Sequence, residues 1–71
     1  MPHVAITVFP GRDEQTKRDL AQKTQQFLVQ ELGIEPRFVS VSIQDVSPED
    51  WQKSMEQFSD DILYVKPTNL S

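Results

Sequence analysis

Pro2, His3 and Arg12 are the residues of this chain with chemistry to offer, and the first of them poses a choice. As an internal residue, Pro2 is an inert tertiary amide that fixes φ and removes a backbone donor at the head of a strand. If Met1 is trimmed, its ring nitrogen becomes a terminal secondary amine that can take up and release a proton. Taken alone, a proline after the initiator methionine is common and carries little weight. Arg12 follows Gly11 directly after an apolar run. Its guanidinium suits paired hydrogen bonds to a carboxylate or polarisation of a carbonyl oxygen, and equally suits a solvated surface or a pairing with Asp13 or Glu14. His3, the single histidine, reads as a surface or interface residue beside a terminus, although its ring can also contact a bound molecule. The acidic pairs Glu49-Asp50 and Asp60-Asp61 read as a helix start and a solvated turn. With one histidine and no cysteine, there is no metal site to assemble and no thiolate chemistry. A Ser-His-Asp set can be drawn on paper, but no spacing fixes its geometry.

These residues need elements to hold them. In VAITVF, Val4, Ile6 and Val8 alternate with Ala5, Thr7 and Phe9, and both sets are mostly apolar, as in a strand covered on two sides. Pro10 and Gly11 end it. Asp13 then caps a helix whose first turn holds Glu14. Leu20, Ala21, Thr24, Phe27, Leu28, Glu31 and Leu32 follow helical spacing, and Gly33 stops the helix. The run FVSVSIQDV alternates again, with Val39, Val41 and Ile43 on one face and Phe38, Ser40, Ser42 and Gln44 on the other. Strand, helix of about five turns, strand is a βαβ unit with parallel strands. In SPEDW, Ser47 is placed as N-cap, Pro48 as the first helical residue, and Glu49 and Asp50 as first-turn acids. The spacing of Trp51, Met55 and Phe58 predicts a short helix from about Pro48 to Phe58. ILYV beyond it adds a strand or wraps across a neighbour, and residues 66–71 form a loose tail. The expected fold is α+β: a single domain over residues 1–71, with two parallel strands, one long helix and a short second helix.

Two strands cannot stand alone, and a chain this short hides only roughly 60% of the surface its unfolded form exposes. Without disulfides or a metal, oligomerisation is the ordinary way to gain core, so the uncovered sheet face is expected to meet another subunit. Eleven acidic against 7 basic residues, a net charge of -4, disfavours a nucleic-acid partner. No segment approaches the ~20 apolar residues of a membrane span, and the start lacks the pattern of a signal peptide. A cytoplasmic protein with no membrane partner is the expectation.

The early proline, the βαβ order, Gly11-Arg12 at the strand exit and an aromatic at Trp51 resemble the 4-oxalocrotonate tautomerase family, without an evident gap from Pro2 to about Trp51. SIQDVSPEDW, with PH at the start and KP near the end, is closer to the bacterial phenylpyruvate-type branch. The resemblance implies that Pro2, freed of Met1, is a general base and acid needing no cofactor and no metal, and that Arg12 binds substrate. A prolyl amine is more basic than the ordinary α-amine at roughly 7.7 to 8.0, so the site must disfavour its charged form. Phe9 and Trp51 would supply a dry wall and Arg12 the opposing charge. Trp51 stands where the family has a pocket phenylalanine, and it reads equally as a core residue of the short helix. A second family arginine falls on Ser40, which donates one hydrogen bond but carries no charge; Arg37 is a weak substitute. A monoacid with an apolar group is then a better substrate than a dicarboxylate.

The resulting expectation is a cofactor-independent tautomerase acting on a 2-oxo acid such as an arylpyruvate. Its site residues are Pro2, Arg12, Ser40 and Trp51, and another subunit completes the site. A dimer is expected because the residues after Trp51 can cover the surface that a trimer of dimers would use, the hexamer being the alternative. Two other readings remain: a hydratase or dehalogenase that uses the same proline on an unsaturated acid, and a non-catalytic oligomeric module.

Overall fold

The computed structural model describes residues 1–68. Strand β1 (His3–Val8) is followed by helix α1 (Glu14–Leu32), a 3₁₀ turn at Pro36–Phe38, strand β2 (Ser40–Asp45), helix α2 (Pro48–Met55) and a second 3₁₀ turn at Asp60–Ile62. The two strands are parallel, with His3 opposite Ser40 and Val8 opposite Asp45, which is the predicted βαβ unit with a short second helix. The ladder runs slightly past both strands. Ser40 N–H donates to the Pro2 carbonyl at 3.3 Å, and Val46 N–H donates to the Val8 carbonyl at 2.8 Å.

Local chemistry sets the element ends. Asp13 has an extended backbone and its Oδ1 accepts from the Thr16 N–H at 2.9 Å, satisfying one of the donors that a helix start leaves unpaired. Gly33 closes α1 at φ 64°, the left-handed conformation that a residue with a Cβ resists, and its N–H returns to the Val29 carbonyl at 3.0 Å. Gly11, at φ 121°, uses the same freedom to turn the chain out of β1 and set the direction in which Arg12 leaves. Ser47 takes the N-cap position of α2, but its hydroxyl donates to Asp50 Oδ2 at 3.1 Å instead of accepting from the helix backbone.

Helix α1 lies mainly against β2. The half-buried residues Lys17, Ala21, Thr24, Gln25, Leu28 and Val29 recur at helical spacing and form its sheet-facing stripe. Ala21, Thr24 and Leu28 belong to the predicted stripe, whereas its other members, Leu20, Phe27, Glu31 and Leu32, are exposed. The reason is width. Two strands about 4.8 Å apart offer a narrow platform, so one helix touches it along a single line and the rest of its apolar arc is left over. Gln25 belongs to the contact because its amide donates to the carbonyls of Pro36 and Val39 at 3.0 and 3.2 Å. Lys17 belongs because its Nζ reaches Asp45 Oδ2 at 2.9 Å, tying the start of α1 to the end of β2.

Among the described residues, Val39 and Val46 are the buried hydrophobic ones. The accessible surface of 6007 Å² exceeds the about 4,500 Å² expected of a compact monomer of this mass. The opposite sheet face carries His3, Ala5 and Thr7 beside Ser40, Ser42 and Gln44; once paired, it is small and polar rather than apolar. Helix α2 ends at Met55, short of the predicted Phe58, and has no extensive contact with α1 or the sheet. Its anchor is Trp51, whose ring meets Phe9 edge-on at 4.9 Å between centroids and 82° between planes. ILYV forms no strand: Ile62 completes a 3₁₀ turn, and Tyr64 and Val65 are almost fully exposed. Of the predicted tail, residues 69–71 lie outside the described residues.

Two outcomes follow. The Thr16 side chain, and after it the Thr16 backbone N–H, lowers the Asp13 pKa from its ordinary value of 3.8. The folded state therefore prefers the carboxylate, and this stabilisation is complete above the ordinary aspartate value and lost as pH falls through the lowered one. Asp13→Ala should lower the melting temperature at neutral pH, with the gap to wild type closing in acid; a gap independent of pH would rule out the cap as its cause. For the aromatic pair, a double-mutant cycle with Phe9→Ala and Trp51→Ala, read by denaturation at fixed protein concentration, should give a coupling of about 0.5–1.5 kcal/mol. Additive effects would show that α2 is held elsewhere.

Candidate active site

The four site residues predicted from sequence fall into two groups at opposite ends of the sheet. Pro2 and Ser40 lie together at the start of the strands, joined through the Ser40 N–H and the Pro2 carbonyl. Arg12 and Trp51 lie together beyond the far end of β1 and, with Thr7, Val8 and Phe9, line a cleft of about 310 Å³. The intervening six-residue strand separates the groups by about 20 Å at its usual rise. One chain does not bring Pro2 to Arg12.

In the cleft, Phe9 and Trp51 make an apolar corner by their edge-to-face contact. Arg12 Nη1 donates to the Phe9 carbonyl at 3.1 Å, which steadies the guanidinium while leaving its other N–H donors for a ligand. Among the described residues, Arg12 makes no ion pair with Asp13 or Glu14, whereas Lys17, Arg37 and Lys66 do pair with carboxylates. An unpaired guanidinium beside an aromatic wall suits a carboxylate attached to an apolar group.

At the other end, Pro2 is half-buried. Arg37 does not stand in for a cation at Ser40. Its Nη2 pairs with Glu35 Oε2 at 3.0 Å, and its guanidinium carbon sits 4.5 Å above the centre of the Phe38 ring. The position opposite Ser40 holds a contact that sequence reasoning missed. His3 Nδ1 lies 2.6 Å from Ser40 Oγ, and His3 Nε2 lies 3.0 Å from Ser42 Oγ. The available signal was the spacing of Ser40 and Ser42 on one strand face, but without the register nothing placed His3 between them.

A larger depression, about 620 Å³, lies between the end of β2 and α2 and is lined by Val46 and by polar residues including Asp45, Ser47, Asp50 and Lys53. It contains none of the predicted site residues. The acidic pairs stand as read from sequence: Glu49 and Asp50 in the first turn of α2, Asp60 and Asp61 on an exposed 3₁₀ turn.

Comparison with known proteins agrees with this architecture. The family described as tautomerase enzyme matches residues 2–60, beginning at Pro2. A probable tautomerase of Xylella fastidiosa is 31% identical over 55 residues, covering 78% of this chain and 67% of that protein. A probable tautomerase of Ralstonia nicotianae is 31% identical over 51 residues, covering 72% of this chain and 78% of that protein. With a proline-headed βαβ unit and a family match across most of its length, the chain belongs to the tautomerase family.

Proposed function

We propose that this single-domain chain is a cytoplasmic, cofactor-independent enol–keto tautomerase acting on a 2-oxo acid such as an arylpyruvate, in the manner of the phenylpyruvate-type branch. The observation that carries the reading is that the family match starts at Pro2, the residue that removal of Met1 converts into a secondary amine. The neutral amine takes the proton from the enol hydroxyl, breaking O–H. The resulting ammonium returns a proton to C3, forming C–H and leaving the ketone at C2. The amine ends as it began.

The amine must be neutral near pH 7 yet basic enough to accept a proton, because proton transfer is most efficient when the catalyst's pKa lies near the working pH. A dry aromatic wall and a nearby guanidinium both disfavour the ammonium. Phe9, Trp51 and Arg12 have these properties, but in one chain they lie at the far end of the sheet from Pro2. A twofold partner resolves this. Two sheets running in opposite directions side by side bring the Pro2 end of one protomer to the Arg12 end of the other, twice per dimer. The same contact covers apolar surface that the isolated chain leaves exposed. Arg12 then holds the carboxylate, Trp51 and Phe9 face the apolar group, and Ser40 offers a neutral donor beside Pro2. The charge count on these residues suits a monoacid.

Mass spectrometry of the purified protein should show loss of Met1. Ketonisation of enol phenylpyruvate, followed by ultraviolet absorbance, should slow by about 10²–10⁴-fold in kcat/KM for Pro2→Ala, the range for loss of a general acid–base group. A retained Met1, or Pro2→Ala turning over at the wild-type rate, would remove the reading; hydration of an unsaturated acid instead of ketonisation would redirect it to the hydratase. Light scattering should give twice the chain mass. Mixed after co-refolding, Pro2→Ala and Arg12→Ala chains should regain activity, since each mixed dimer holds one site with both residues intact. Failure of complementation together with a monomeric mass would refute the shared site.

A further inference from the structure

The sheet face turned away from α1 holds a side-chain cluster of which the proposed reaction uses only Ser40: His3 between Ser40 and Ser42. Both ring nitrogens are occupied, Nδ1 at 2.6 Å from Ser40 Oγ and Nε2 at 3.0 Å from Ser42 Oγ. A neutral imidazole has one N–H and one bare nitrogen, whereas a hydroxyl can donate or accept. The chain of three groups therefore has a direction. In one direction Ser40 donates its proton to Nδ1 and has none left for a ligand. In the other, Ser42 O–H donates to Nε2, Nδ1–H donates to Ser40 Oγ, and the Ser40 proton is free to point elsewhere.

Where it can point is set by the backbone. Ser40 N–H already donates to the Pro2 carbonyl, so the Ser40 backbone adjoins the residue whose amine moves the proton, while its Oγ is held by His3. The geometry points to Ser42, His3 and Ser40 as a directional donor relay that ends on the oxygen at C2 of the bound 2-oxo acid. As the enol proton leaves, negative charge builds on that oxygen. A hydroxyl held in place, with its oxygen already accepting from His3, stabilises that charge without having to reorient. This inference rests on the tautomerase reading and deepens it. Ser40 is the group that touches substrate, His3 is a positioning residue acting through Ser40, and Ser42 selects the tautomer of His3. An uncharged donor at this place supports a developing enolate without demanding a second carboxylate on the substrate.

The test combines kinetics with a readout that needs no turnover. In ¹⁵N NMR of ring-labelled His3, at a pH where the ring is neutral, the proton should reside on Nδ1, and Ser42→Ala should shift the population toward Nε2–H. In ketonisation of enol phenylpyruvate, Ser40→Ala should lower kcat by about 10- to 100-fold with KM changed by less than about threefold, while Ser40→Thr, which keeps the hydroxyl, should stay within about threefold of wild type. His3→Ala and Ser42→Ala should lower kcat by about three- to tenfold, and His3→Asn, whose amide can donate to Ser40, should recover part of the loss. The wild-type ring protonated on Nε2, or Ser40→Ala with unchanged kcat while Pro2→Ala is inactive, would overturn the relay alone. Wild type without ketonisation, or Pro2→Ala as fast as wild type, would instead defeat the tautomerase reading on which it rests.

Discussion

Everything in this fold depends on the hydrogen bond from the Ser40 N–H to the carbonyl of Pro2 and on the parallel register it begins. As an internal residue proline offers the ladder no N–H, and the contact that holds this end of the chain to β2 is made through the Pro2 carbonyl. A slip of one residue would send Val4, Ile6 and Val8 to the polar face and His3 toward the helix. The hydrophobic set that packs under α1 therefore also fixes where Pro2 lies, and the serines of β2 meet His3 because Val41 and Ile43 meet the helix. Placement of the terminus is a by-product of core packing, which makes it stiffer than a terminus held by its own contacts alone.

The shortage of core and the division of the candidate site follow from one geometric fact. A sheet of two strands is too narrow to absorb the apolar arc of a 19-residue helix, and it is too long for groups at its two ends to meet. Leu20, Phe27 and Leu32 remain exposed for the first reason. Pro2 and Arg12 remain apart for the second. A second copy placed in the opposite direction answers both, which is why, in the proposed enzyme, burial and assembly of the site are the same event. An enzyme built this way has no reason to evolve a larger monomeric core, since a self-sufficient chain would still lack half of its site.

Much of this was legible in the sequence. Alternation in VAITVF and FVSVSIQDV, a cap at Asp13 and a stop at Gly33 are local signals, and local hydrogen bonding decided them. The Phe9–Trp51 corner was anticipated as a pair of apolar walls, although its edge-to-face geometry was not. What stayed hidden depends on the register or on packing between elements. The stripe of α1 shifted toward Lys17 and Gln25 because two long polar side chains found partners in Asp45 and in loop carbonyls, and spacing alone ranks such residues as surface. The hydrophobic run ILYV read as a strand or a segment wrapping across a neighbour; neither sheet edge takes it up among the described residues, and Asp60 and Asp61 turn the chain just before it. His3 was unreadable for a simpler reason: its partners are 37 and 39 residues away.

The position of Ser40 connects these points to specificity. A guanidinium there would attract a second carboxylate from a distance; a serine acts only at contact, and only if its proton is available. In the proposed reaction the burden of recognising charge then falls on Arg12, which lies in an apolar corner and spends one donor on the Phe9 carbonyl. A protein with a net charge of -4 repels dianions over its surface more than monoanions, although ionic screening limits this beyond a distance of about 10 Å. In the proposed shared site, a single cation, an aromatic corner and a neutral hydroxyl would therefore select in the same direction. Together they would favour one carboxylate, one apolar substituent and one oxygen whose charge grows only while the proton is in transit.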